Sequence, residues 1–85
     1  MIQSNRVTII PDDGAVYLDE YVYIHLDLSS CGIPEDVHAL QWLNNEGEIE
    51  SKSEWVLNQH ITELPTWALN CIAKWEEAYQ ENPPE

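Results

Sequence analysis

The strongest helical spacing in this chain lies near the C-terminal end. From Leu64 to about Gln80, Trp67, Ala68, Cys71, Ile72, Trp75, Ala78 and Tyr79 fall on one arc of about 140° at 3.6 residues per turn. Asn70, Lys74, Glu76, Glu77 and Gln80 fill most of the remainder. Pro65 suits a first helical turn, where a missing N–H costs nothing, and Thr62 is a candidate cap. Asn82-Pro83-Pro84 stops the helix. A helix over residues 64–80 must therefore bury an aromatic stripe, and residues 82–85 are expected to be disordered beyond it.

Everything before residue 64 reads as short strands and turns. Arg6 to Pro11 is largely β-branched. Asp12-Asp13-Gly14 is a turn signal, and Ala15 to Leu18 resumes an extended pattern, so residues 6–19 predict a hairpin. Tyr21 to Leu28 alternates. Val22, Ile24, Leu26 and Leu28 are expected on a buried face, with Tyr21, Tyr23, His25 and Asp27 on a wet one. Val37 to Leu43 is ambiguous, because Ile33, Val37 and Leu40 also fit a helical face. Asn44-Asn45-Glu46-Gly47 and the alternation of Glu48-Ile49-Glu50 favour a second hairpin. Trp55, Val56 and Leu57 are expected to form a short edge strand or to plug the core.

The predicted fold class is α+β: a small twisted antiparallel sheet of about four to five strands, with the C-terminal helix packed on its apolar face. Eighty-five residues fit a single domain spanning residues 1–85. The core must be small. Four Trp and four Tyr, with no Phe, supply its bulk.

The chain carries 16 acids against three bases, Arg6, Lys52 and Lys74, for a net charge of −13. The acids are spread along the whole length, so the acidity belongs to the domain surface and not to a tail. Such a surface repels phosphates and anionic membranes, which argues against direct binding to nucleic acid or membrane. It either keeps the protein soluble or complements a basic protein surface. No apolar run approaches the roughly 20 residues of a membrane span, and the N-terminus lacks a signal-peptide pattern. Synthesis and residence in the cytoplasm follow, with Cys31 and Cys71 reduced.

Little in the sequence suggests chemistry. The paired acids at 12–13, 19–20, 35–36 and 76–77 lack calcium-loop spacing. His25, His38, His60 and the two cysteines have no zinc-ligand spacing. Cys71 lies on the apolar arc of the helix, where a thiol is inert, and nothing near Cys31 would activate it. No catalytic residue, metal site or cofactor is predicted. Binding is expected instead at Tyr21, Tyr23, His25 and Asp27, and at Glu48 and Glu50. Tyrosines on a wet face make good anchors, although they equally serve as cover for a second small core or for the edge of the helix. Strand 6–10 or 46–51, if at a sheet edge, would pair with another copy and form a homo-oligomer; Glu48 and Glu50 would otherwise guard that edge.

Three segments carry a resemblance: VHALQW at 37–42, GEIE at 47–50 and ITELPTWALNCIAKWEEAYQENPP at 61–84. Together they resemble small proteins encoded among the tail and tail-fibre genes of bacteriophages and prophages, over roughly residues 20–82. The resemblance implies a tail-associated structural or assembly protein. It would be made in the bacterial host cytoplasm, be carried in some cases in the virion tail, and act by binding another tail or host protein. It transfers no functional residues. A phage origin also raises a second reading, in which an acidic DNA-mimic-like inhibitor occupies a basic site on a host defence or transcription protein.

Overall fold

A computed structural model describes residues 6–82. Six strands form one antiparallel sheet: β1 (Arg6–Ile10), β2 (Ala15–Leu18), β3 (Tyr21–Tyr23), β4 (Val37–Leu43), β5 (Glu46–Ser51) and β6 (Gln59–Ile61). A single α-helix, α1 (Thr66–Glu81), follows them. The spatial order β3-β2-β1-β4-β5-β6 joins two three-stranded meanders at the β1–β4 pair. The α+β expectation holds, with slightly more strands than the sequence suggests. Among the described residues, no helix is long and apolar enough to cross a membrane.

Turn chemistry sets the hairpins. A 3₁₀ turn, Pro11–Asp13, leads into Gly14 at φ 60 before β2 begins. The β4–β5 turn consists of Asn44 and Asn45, both at positive φ (49° and 75°). Two positive-φ residues are what a type I′ turn requires, and Asn tolerates that region. Leu18 pairs directly with Tyr21, so Asp19 and Glu20 form a further two-residue turn, with Asp19 at φ 54.

Register places Val7, Ile9, Val16, Leu18 and Leu40 on one face, where α1 covers them with Ala68, Cys71, Ile72 and Trp75. The predicted helical arc is the buried one. Trp75 is 1 % exposed; its ring stacks on Tyr79 at 5.1 Å and forms a T-shaped pair with Tyr23 at 5.5 Å.

Four expectations need correction. Helix α1 starts at Thr66, so Thr62 is too early to cap it. Pro65 occupies the cap position, and its carbonyl accepts the N–H groups of Ala68 (3.0 Å) and Leu69 (3.2 Å). Strand 6–10 is central, and strand 46–51 is covered by β6, so neither forms an edge. Asn82, expected in a disordered end, is the C-terminal cap residue; residues 83–85 lie outside the described residues. The largest correction concerns Tyr21 to Leu28.

The strand there ends at Tyr23, and its phase is opposite to the predicted one. Tyr21 pairs with Leu18 and Tyr23 with Val16, so both tyrosines share the helix-covered face. Val22 and Ile24 are exposed on the opposite face, and Tyr21, at the end of the sheet, stays 43 % exposed. His25, at φ 60, bends the chain and donates its N–H to the Asp13 carbonyl at 3.1 Å. Histidine is among the residues that enter this region more readily. Beyond the bend Leu26 and Leu28 turn inward.

Candidate functional site

The residues singled out from sequence do not converge. Tyr21 to Asp27 lie on and beyond β3, at one end of the sheet, whereas Glu48 and Glu50 lie on β5. Three strands separate them, which is roughly 19 Å at the usual strand spacing.

Four of the six side chains have a local partner. The Tyr23 hydroxyl donates to the Asn82 carbonyl at 2.6 Å, fastening the end of α1 to β3. This packing removes water from the phenol and, with Tyr79 beside it, raises the Tyr23 pKa above its ordinary value. Asp27 accepts from the Ser29 hydroxyl (2.6 Å) and N–H (3.1 Å), and these bonds hold its carboxyl below the usual range. Glu48 accepts from Asn58 and Glu50 from Gln41. Glu46, Glu48 and Glu50 alternate along β5 and so point to one side of the sheet.

Cys31 and Cys71 are free thiols that the fold brings together in the core, 40 residues apart in sequence. Burial and the neighbouring Cys31 push the Cys71 thiol up to about 12. The unfolded chain therefore releases the Cys71 proton at lower pH than the folded chain does. Stability from this site is fully present below the ordinary thiol pKa and is lost as pH rises from about 9 towards 12. At pH 8 native Cys71 holds far less thiolate than a free cysteine. Iodoacetamide should accordingly leave it unmodified in the native protein and label it after unfolding in guanidinium. Native labelling at the rate of a free thiol would contradict the buried arrangement. Among the described residues, no three His, Cys, Asp or Glu side chains form a group able to hold a metal ion.

The most exposed large apolar side chains occur where the sequence suggested core or strand. Trp55 is 90 % exposed and Leu57 92 %, with Val56 also exposed, on the loop joining β5 to β6. Serines shape this loop. Ser51 Oγ accepts the Ser53 N–H at 3.1 Å, Ser53 Oγ accepts the Trp55 N–H at 3.3 Å, and the Ser53 carbonyl accepts the Val56 N–H at 3.2 Å. The backbone groups are satisfied locally, and Trp55 is left projecting.

Next to this tip lies an open groove of about 260 Å³ between the β5–β6 end of the sheet and the start of α1. Val37, Ile49, Ile61, Pro65 and Trp67 give it an apolar lining, with Val56 and Leu57 on one side. Asp36 and Glu63 also belong to its walls, while the Glu50 carboxylate, bonded to Gln41, lies on the other side of the sheet. The three cations of the chain lie elsewhere. Lys52 pairs with Asp12 at 3.0 Å, Lys74 sits 3.9 Å from Glu77 on α1, and Arg6 begins β1. The groove is smaller than most small-molecule pockets, which span about 300–1,000 Å³. It suits one or two side chains of a larger partner.

The signal available in the sequence was the run Trp55-Val56-Leu57 directly after Ser51-Lys52-Ser53-Glu54. Serines in such a segment favour side-chain-capped turns. Comparison with protein-family models, with curated proteins and with solved structures finds no match.

Proposed function

We propose that this domain acts by binding another protein and catalyses no reaction. The observation that carries this reading is the projecting pair Trp55 and Leu57, 90 % and 92 % exposed beside an apolar groove. Burying a leucine side chain contributes about 1.5–3 kcal/mol, and tryptophan is prominent among residues that dominate interface energetics. The resemblance of residues 20–82 to small proteins of phage and prophage tail regions supports the setting. The partner is a tail protein met in the host cytoplasm during assembly, and the domain stays with the tail. Tails and tail intermediates purified from lysates should contain the protein. Its absence from both, with normal particles after deletion of its gene, would refute the assembly role.

A second reading has its own supporting observation: the β5 glutamates Glu46, Glu48 and Glu50 stand on one side of the sheet, about 7 Å apart along an extended strand. That row favours an acidic inhibitor seated on a basic site of a host defence or transcription protein. The other acids sit mainly in turns and on α1, which fits a solvating surface better. The inhibitor reading requires affinity that collapses between low and physiological salt, since exposed charges are screened beyond about 8 Å there. Salt-insensitive binding to its partner would reject it.

A further inference from the structure

The tip and groove specify more than "a protein". Resting on the protein-binding reading above, we propose that they form one docking site for a short segment of a partner in which a large aliphatic or aromatic residue is flanked by lysine or arginine. The apolar residue enters the groove against Ile49, Ile61 and Trp67. Leu57 closes over it, and the flanking cations meet the acidic walls.

Charge selects this occupant. Asp36 and Glu63 stand on the groove walls, and none of the three cations of the chain lines it. Glu54 precedes Trp55 on the tip itself. A second copy of this chain, at −13, would bring its own acids against these and be repelled. Nucleic acid is repelled for the same reason. Trp55 adds a feature specific to cationic segments, because its exposed indole face can hold a guanidinium or ammonium by cation–π attraction. The apolar lining supplies affinity, and the acidic walls supply selectivity and a faster encounter.

The test uses the intact protein and random-peptide display. Enriched peptides should combine a large apolar residue with neighbouring Lys or Arg. Their affinity should fall about tenfold or more in Trp55→Ser and in Leu57→Ser, the scale of an interface hot spot. Asp36→Asn with Glu63→Gln should weaken binding about threefold or more and flatten its salt dependence. Trp55 and Leu57 are so exposed that their replacement should leave the melting temperature nearly unchanged, and circular dichroism checks this for each variant.

Three results would overturn the proposal: no enrichment above a control protein, enrichment of neutral or acidic peptides, or affinity unmoved by the tip substitutions. A dimer in sedimentation equilibrium that dissociates in Leu57→Ser would also overturn it, by assigning the tip to a second copy. The two levels of the reading separate cleanly. If the Trp55→Ser, Leu57→Ser double variant still associates with tails, the protein-binding function stands and this site fails. If basic–apolar peptides bind at the tip but tails never contain the protein, the site stands and the assembly role fails.

Discussion

Replacing Trp75 with alanine should lower the melting temperature by about 15–30 °C, the largest effect expected of any core truncation in this domain. Trp75 is 1 % exposed, stacks on Tyr79 and forms a T-shaped pair with Tyr23. Truncating a buried Trp to Ala costs about 3–5 kcal/mol. At 0.05–0.15 kcal/mol per residue an 85-residue domain has about 4–13 kcal/mol in all. A loss of 1 kcal/mol moves the midpoint of so small a domain by about 4–8 °C. Trp75→Phe should be far milder. Among the described residues the buried indole Nε1 finds no hydrogen-bond partner, so phenylalanine keeps an aromatic ring and removes an unsatisfied donor. Thermal melts followed by circular dichroism measure both. A fall below about 5 °C for the alanine variant would mean that the helix–sheet core does not depend on this ring.

The helix was legible because its signal is long and redundant. Seven apolar residues on one arc outweigh any single misplacement, and the buried set Ala68, Cys71, Ile72 and Trp75 lies within that arc. The two leading hairpins were legible from their turns, Asp12-Asp13-Gly14 and Asn44-Asn45. The ambiguity of Val37 to Leu43 has a physical origin. Pairing shifts between Val37 and Ala39, and this irregularity lets Val37 and Leu40 both be buried although three residues apart. A bulged strand thus imitates the i, i+3 spacing of a helix.

Tyr21 to Leu28 misled for the complementary reason. The alternation there is unbroken in sequence, but the chain does not stay extended. After Tyr23 it bends through His25, and the parity before the bend differs from that after it. Which parity wins at β3 is decided by what α1 offers. Trp75, Tyr79 and the Asn82 carbonyl take a tyrosine ring with its hydroxyl, and valine has nothing to give that carbonyl. Tyr23, expected on a wet face, therefore lies against the helix, while Tyr21 stays exposed at the end of the sheet. The candidate site was missed because Trp55-Val56-Leu57 reads as core by hydrophobicity alone. Only the serine-capped turns before it, visible once the backbone is traced, show that the run is held outward.

The bend at His25 explains why Gly14 should resist replacement. The segment after β3 returns along the first turn: His25 donates to the Asp13 carbonyl and Leu26 to the Gly14 carbonyl, at 3.1 and 3.0 Å. Gly14 sits at φ 60 directly under it. Alanine there meets two separate penalties. The left-handed backbone costs an ordinary residue about 1–2 kcal/mol. In addition, its Cβ would lie 2.6 Å from the Leu26 carbonyl oxygen and 2.9 Å from the Leu26 nitrogen, both main-chain atoms that no rotamer change can move. Overpacking of this kind adds about 1–3 kcal/mol. Gly14→Asn separates the two. Asparagine tolerates positive φ, so if backbone strain were the whole effect it would recover most of the loss. Because its Cβ meets the same carbonyl, it should recover little, and the melting temperatures of the Ala and Asn variants should lie close together and well below that of the parent. Near-complete rescue by asparagine would show that the 25–26 segment can move aside. The hydrogen exchange of the His25 and Leu26 amides, protected in the parent by bonds to residues 13 and 14, would then remain slow in the variant only if the segment re-pairs in a shifted position.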